Sequence, residues 1–255
     1  MHENRKTIDA VETSFALLEH LKESEGAGVT EIARELGVAK STAHAHLSTL
    51  QSLGYVTREG DTFGVALRFL DLGNAARERS TLHRVGREKA NEIAAETGEK
   101  VWILAEEHGR GIHLHLASGE QSVRTYARTG QPNYLHQLAG GKAILAWLPD
   151  ERVEAIIERH GLPARTEETI TDQERLFEEL ERIRERGFAR NDGESISGLR
   201  AVGAPITNAD GVAIGALSLS GPAKRLRGDR FDEEIPHLLL GSANEIEINM
   251  TFADE

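Results

Sequence analysis

The chain has 255 residues, 42 Asp and Glu against 30 Lys and Arg, a formal net charge of −12, and no cysteine. That length accommodates one large or two modest domains, and the missing thiols exclude a disulfide scaffold, a thiol nucleophile, an iron–sulfur cluster and any Cys-based zinc finger. Lysine supplies only 7 of the 30 basic residues, and such an acidic, lysine-poor surface keeps a protein soluble in concentrated salt, which points to a halophilic archaeon as source.

In chain order, Thr7 to Leu21 carries Ile8, Val11, Phe15, Leu18 and Leu21 at helical spacing. Gly26 to Gly28 breaks that helix, and Thr30 caps a short second one that ends at Leu36 and Gly37. Ser41 opens a third helix with Ala43, Leu47, Leu50 and Leu53 on one face, stopped by Gly54. Tyr55 to Arg58 and Thr62 to Val65 flank Glu59-Gly60-Asp61, the signature of a tight hairpin. Residues 66–97 return to a helical period with a weak point at Ser80 and Thr81, and the charged Arg77-Glu78-Arg79 marks the domain boundary. After Gly98 the period becomes that of strands: Val101–Glu106, Gly111–Ala117 and Ser122–Arg128. A helix follows the Gly140-Gly141 pair over Lys142–Leu148, and Leu176–Arg186 is a charged amphipathic helix. Ala201–Thr207 and Val212–Ser220 are strands joined by the turn Asn208-Ala209-Asp210-Gly211, and a last helix covers Asp232–Glu247. The longest apolar runs, Ala143–Leu148 and Val212–Leu217, are far short of the roughly 20 residues of a membrane span. The N-terminus has no apolar signal core. A cytoplasmic chain without a membrane partner is expected.

Three helices and a hairpin make a winged helix-turn-helix, with Gly37-Val38-Ala39-Lys40 as its turn. The third helix of that plan enters the major groove with its N-terminal residues forward. Lys40, Ser41, Thr42, His44 and Ala45 then face DNA: Lys40 suits a phosphate or a guanine edge, Ser41 and Thr42 a phosphate or the helix cap, and His44 a base acceptor. Arg58, beside the wing turn, suits a minor-groove or phosphate contact. Residues 1–80 hold nine Lys/Arg against twelve Asp/Glu, unusual where phosphate neutralisation supplies much of the affinity. A winged helix used for protein contacts therefore stays open beside the DNA-binding reading.

The run from Val29 to His44, with Leu47, Leu50 and Leu53-Gly54-Tyr55-Val56, resembles the DNA-binding domain of the IclR (isocitrate lyase regulator) family of transcription factors. Leu138-Ala139-Gly140-Gly141-Lys142-Ala143-Ile144-Leu145-Ala146 is similar to a second family segment. Gly187-Phe188, Glu194 and the stretch Gly198 to Ile206 resemble its signature, and Leu217 to Pro222 the strand after it. This sequence departs from the pattern at Ala45, often arginine, at His46, usually apolar, and at Thr207, usually aromatic; Asn191 or Asp192 stands where an aspartate is expected.

The resemblance implies an α+β architecture: a winged helix-turn-helix over residues 1–65, a linker helix over 66–80, and a GAF-like, mainly antiparallel effector-binding and oligomerisation domain over 81–255. It implies no enzyme activity and no cofactor. Its implied partners are double-stranded DNA with a pseudo-palindromic operator, a small-molecule effector (an organic or aromatic acid), and further copies of the chain, a dimer through the N-terminal domain and a tetramer through the effector domains. The effector residues carried over are Ala139, Gly140, Asn191, Asp192, Ala201, Ser218 and Ser220, with Tyr134 and His136 able to close the pocket. Two features of the residues themselves agree: a glycine pair opening a helix offers free N–H groups to a carboxylate, and Ser218 and Ser220 alternate onto one strand face.

A rival reading rests on His113, His115 and Glu120. Two histidines two apart on a strand share a face, and with a carboxylate they could hold iron, manganese or zinc in a metal-dependent enzyme. No Ser-His-Asp arrangement, Walker loop or dinucleotide fingerprint is visible. A third reading makes the second domain an oligomerisation platform alone.

Overall fold

A computed structural model describes residues 7–125 and 127–253. The chain forms two compact units that meet in sequence between Ala76 and Arg77.

The first unit contains α1 (Asp9–Glu23), β1 (Ala27–Gly28), α2 (Val29–Glu35), α3 (Lys40–Ser52), β2 (Val56–Glu59) and β3 (Thr62–Val65), followed by α4 (Phe69–Glu78), which runs on past Ala76. Leu17, Leu21, Ile32, Leu47 and Phe63 form its core. β3 is the middle strand of a small antiparallel sheet, between β1 and β2. Pairing with β3 fixes the start of α2. Ala27 and Gly28 lie opposite Phe63 and Thr62, so the strand passes directly into the helix with Gly28 at its N-cap. Thr30 thus lies inside the helix instead of capping it. α3 likewise begins one residue early, at Lys40 behind Ala39. Gly37 and Gly54 take φ of +65° and +78° just past the ends of α2 and α3, where a left-handed residue closes a helix most easily. The stripe on α1 is longer than the core it serves. Leu18 and Leu21 are buried, while Val11 and Phe15 are 50% and 60% exposed.

The second unit is one antiparallel sheet covered on both faces. Its strands are β4 (Lys100–Glu107), β5 (Arg110–Ser118), β6 (Pro132–Tyr134), β7 (Ala189–Asp192), β8 (Leu199–Thr207) and β9 (Ala213–Pro222), in the order β6-β5-β4-β9-β8-β7. On one face α5 (Thr81–Thr97) and the long C-terminal α9 (Ile235–Ala253) pack against Val101, Ile103, Val202, Ile206, Leu217 and Leu219. On the other lie α6 (Ala139–Ala146), α7 (Asp150–His160) and α8 (Gln173–Arg186), over Leu104, Ala189 and Ala216.

Three expectations change here. The segment 122–128 is no strand in its described residues (Tyr126 lies outside them), and the edge partner of β5 is instead Pro132–Tyr134. Lys100 Nζ donates to Thr125 Oγ1 at 3.0 Å, which holds this segment across the sheet instead of along its edge. α6 begins at Ala139, so the glycine pair forms its first turn instead of preceding it. β4 and β5 slip register: Ile103 lies opposite His115 but Leu104 opposite His113, leaving Leu114 as an extra residue, a β-bulge.

α6 sits unusually close to the sheet. A Cβ on Gly203 would come within 2.5 Å of the Ala139 carbonyl carbon and 2.6 Å of the Gly140 nitrogen. A Cβ on Gly141 would collide with the backbone of Leu135. Only backbone without a side chain lets the first turn of this helix rest on β8. Gly203→Ala should force the helix off the sheet and cost about 1–3 kcal/mol in urea denaturation; an unchanged midpoint would show that the seat has slack.

Candidate functional site

The seating of α6 creates a cavity of about 70 Å³ between the helix N-terminus, the sheet and three loops. Trp102 and Leu104 of β4, Ala201 of β8, and Ser218 and Ser220 of β9 line it from the sheet. Ala139 and Gly140 close one side, and Thr125, Arg165 and Ser195 reach in from loops. Five residues expected from the sequence therefore meet here: Ala139, Gly140, Ala201, Ser218 and Ser220. No Asp or Glu is among the lining residues.

The polar groups have defined roles. The first intrahelical bond of α6 runs from Lys142 N to Leu138 O at 2.8 Å, so the N–H groups of Ala139, Gly140 and Gly141 precede the helical ladder. Ser218 donates to Val202 O at 2.9 Å, which leaves it an acceptor toward the cavity. Ser220 accepts from Trp102 Nε1 at 3.3 Å, which leaves its own proton to donate. The two serines share a face but offer opposite polarity. The Arg165 guanidinium has no hydrogen-bond or ion-pair partner among the described residues, whereas Arg200, which also lines the cavity, is held by Asp192 at 2.7 and 2.8 Å.

The other carried-over residues lie outside the lining and support it. Asn191 is buried, donates to Gln137 O at 2.8 Å and accepts from Glu194 N at 3.1 Å. An aspartate there could make only the second bond, which is why the amide suits this position. His136 and Gln137 both donate to Pro163 O, at 3.1 and 2.8 Å. Tyr134 faces the Arg110 guanidinium, 3.6 Å from its ring centre. Lys142 and Glu194, buried and joined at 2.6 and 2.8 Å, tie α6 to the loop that carries Ser195. Burial raises the Glu194 pKa against the opposing pull of Lys142. Sequence reasoning missed Trp102, Thr125 and Arg165. The alternation of Trp102 with Leu104 on β4 was the one signal present.

The proposed metal cluster does not form. The β-bulge puts His113 on the cavity side, its ring 4.3 Å from Trp102 and its Nδ1 accepting from Asn133 at 3.3 Å. His115 is on the opposite face, bonded to Asn91 of α5 at 3.0 Å. Glu120 is exposed beyond the end of β5. Among the described residues no group of three His, Asp or Glu side chains converges on a metal-sized site.

In the first unit the five α3 residues expected at DNA, Lys40, Ser41, Thr42, His44 and Ala45, are all exposed, while Ala43 and Leu47 are fully buried. α3 contains no Asp or Glu, so its outer surface escapes the acidic balance of the domain. His46 is half-buried and bonds Ser14 Oγ at 2.8 Å, joining α3 to α1. Arg58 folds over its own wing, donating to Gly60 O at 2.8 Å and lying 5.2 Å from the Phe63 ring centre.

Burial, and secondarily the Arg165 charge, lowers the His113 pKa to about 4. In the unfolded chain the imidazole titrates near 6.5. Between these values the unfolded state binds a proton that the native state does not, so the contribution to stability is full above about pH 6.5 and lost as pH falls toward 4. The total is roughly 3 kcal/mol. His113→Gln should flatten the pH dependence of the urea unfolding free energy between pH 7 and 4.5 by most of that amount, and parallel pH profiles would place the acid sensitivity elsewhere.

Two family descriptions match: "IclR helix-turn-helix domain" over residues 10–60 and "Bacterial transcriptional regulator IclR C-terminal" over residues 75–248. The chain is 34% identical to the probable HTH-type transcriptional regulator ArcR of Halobacterium salinarum over 252 residues, 97% of this chain and 96% of that one. It superposes on the Thermotoga maritima IclR crystal structure with a TM-score of 0.77 at 27% identity, covering 96% and 99% of the two chains. A Microbacterium hydrocarbonoxydans IclR homolog, crystallised in complex with 4-hydroxybenzoate, shares the fold with a TM-score of 0.76 at 22% identity, over 95% and 99%. Among the described residues no helix is long and apolar enough to cross a membrane. The chain belongs to the IclR family: it is a DNA-binding transcriptional regulator, not an enzyme, with an N-terminal helix-turn-helix domain and a C-terminal ligand-binding domain.

Proposed function

We propose that this regulator binds a small organic-acid anion in the cavity under α6 and that the anion alters its hold on a pseudo-palindromic operator. One observation carries the reading: the cavity has in its wall a helix N-terminus and the Arg165 guanidinium, which has no partner among the described residues, and no carboxylate among its lining residues. Free first-turn N–H groups and the helix dipole favour a carboxylate, and the Ser220 hydroxyl supplies a further donor. The 4-hydroxybenzoate complex of the Microbacterium relative is consistent with an acid of this kind. The apolar side walls, Trp102 and Leu104, take the carbon skeleton.

On the DNA side, Lys40, Ser41, Thr42, His44 and Ala45 make up the reading surface of α3 and Arg58 stiffens the wing that flanks it. Residues 1–65 act as the DNA-binding domain, 66–80 as linker and 81–255 as effector and oligomerisation domain of a cytoplasmic protein. Two copies pair through the N-terminal domain, where Val11 and Phe15 of α1 and Leu67 and Leu70 before and in α4 are apolar side chains left 50–82% exposed, and effector domains join dimers into tetramers. A two-fold dimer reads two half-sites of opposite orientation. The effector acts by preferring one arrangement of the dimer, and it shifts the population only as far as its affinity differs between arrangements.

The test is fluorescence anisotropy with the intergenic DNA upstream of the chain's own gene, in concentrated KCl, with and without a panel of organic acids. Specific binding, altered by an acid in wild type but not in Arg165→Gln, is the expected result. Binding that no acid alters would leave the second domain as an oligomerisation platform. Lys40→Ala should weaken binding to all sequences evenly, whereas His44→Ala should also relax sequence preference, by roughly tenfold at one base pair. Because the α3 surface works without a basic field, the salt slope should be shallow; a slope of about six or more would mean that phosphate neutralisation dominates after all.

A further inference from the structure

Four acidic or basic side chains of the kind that normally stays in water are buried among the described residues: Glu99, Lys100, Lys142 and Glu194. Three of them are neutralised. Lys142 and Glu194 hold each other, and Glu99 takes both arms of Arg225 at 2.7 and 2.6 Å. Lys100 is the exception. It is 7% exposed, has no carboxylate partner among the described residues, and spends one N–H on Thr125 Oγ1 at 3.0 Å. Its ammonium is 6.0 Å from the Trp102 ring centre, at the outer limit of a cation–π contact, which is weaker than an ion pair and accepts no hydrogen bond of normal strength. A buried charge normally has a partner, and an ammonium has three donors to satisfy.

Its position says where a partner would come from. Lys100 stands opposite Ser220, and Trp102 opposite Ser218. Strand alternation puts Lys100, Trp102 and Leu104 on the cavity face. Thr125, which accepts a hydrogen bond from the Lys100 ammonium, lines the cavity itself. A hydroxyl that accepts from an ammonium has its own proton left to give, so Thr125 presents a polarised donor to the cavity with a positive charge directly behind it.

We propose that Lys100 and Thr125 form a second anion-holding point of the cavity, additional to Arg165, and that the effector is a small acid with two anionic groups, a dianion or more highly charged: a short dicarboxylate or an organic acid bearing a phosphate. This rests on the acid-binding reading of the cavity and narrows it. Lys100 acts through Thr125 as a specificity-determining residue, and the second acidic group of the effector supplies the counter-ion that the described residues do not. Burial lowers the Lys100 pKa, and a bound anion would raise it.

Isothermal titration calorimetry on the full-length protein in concentrated KCl tests this with acetate and pyruvate as monoanions, malonate and succinate as dicarboxylates, and phosphoglycolate as the phosphate-bearing acid. At least one dianion should bind about tenfold or more tightly than either monoanion. Lys100→Met should abolish that advantage and leave monoanion affinity within about twofold of wild type, while Lys100→Arg should keep the preference. Malonate or succinate against phosphoglycolate then identifies the second acidic group. Equal binding of monoanions and dianions to wild type would overturn the proposal and leave the acid-binding reading intact, as would a Lys100→Met variant that weakens both classes alike. Binding of no acid at all would overturn both. If circular dichroism shows Lys100→Met unfolded, the wild-type selectivity and Lys100→Arg decide.

Discussion

The second domain is organised around the backbone contact between α6 and β8. A helix normally rests on a sheet through a layer of side chains. Here Gly203 removes that layer at one spot and Gly141 lets the same turn press against Leu135, so the N-terminus of α6 touches the sheet directly. One end of the helix is pinned low while its C-terminal part, through Ile144 and Leu145, joins the apolar core with α7 and α8. The cavity is what remains beside the pinned end, and its polar character follows from the helix dipole. Asn191, Gln137 and the Lys142–Glu194 pair are then understood as the bracing of that end, since each ties α6 or the turn before it to a neighbouring segment.

The β-bulge at Leu114 is the second organising constraint. Without it His113 and His115 would share a face, and the sheet would present two imidazoles together. With it, His113 enters the cavity wall and His115 joins the α5 side. The inserted residue thus gives the cavity an aromatic pair, Trp102 on His113, in which the imidazole is held neutral by burial. A neutral ring adds no positive charge, so on the acid-binding reading proposed above the attraction for an anion falls to Arg165, the helix terminus and Lys100 behind Thr125.

These constraints explain what the sequence disclosed. Local signals were readable. The spacing of Ala43 and Leu47 located the inward face of α3 and hence its outer one, the glycine pair marked a helix start, and alternation put Ser218 and Ser220 on one face. Features that depend on distant segments were not. Arg165 and Thr125 come from loops, whose residues carry no periodicity, and reach the cavity only because the chain folds back over the sheet. β7 is four residues long, too short to stand out, whereas the α7 stripe of Val153 and Ile156 was legible and went unread. The histidine pair misled because strand alternation holds only in an unbulged strand, and a single extra residue reverses it.

Charge is divided in this molecule in a way that suits concentrated salt. At molar ionic strength the reach of an exposed charge falls to about 3 Å, so the acidic surface serves solubility and contributes little to recognition at a distance. Recognition must then rely on contacts that exclude ions. The outer face of α3 is free of carboxylates and carries short polar side chains, Ser41, Thr42 and His44, suited to hydrogen bonds at contact range. In the effector domain several charges lie beneath the surface: Lys142 with Glu194, Glu99 with Arg225, and Lys100 behind Thr125, which lines the cavity. Buried pairs are screened far less than exposed ones. On the acid-binding reading proposed above, an anionic ligand would shed part of its ion atmosphere on entering the cavity and meet charge that is less screened than charge on the open surface.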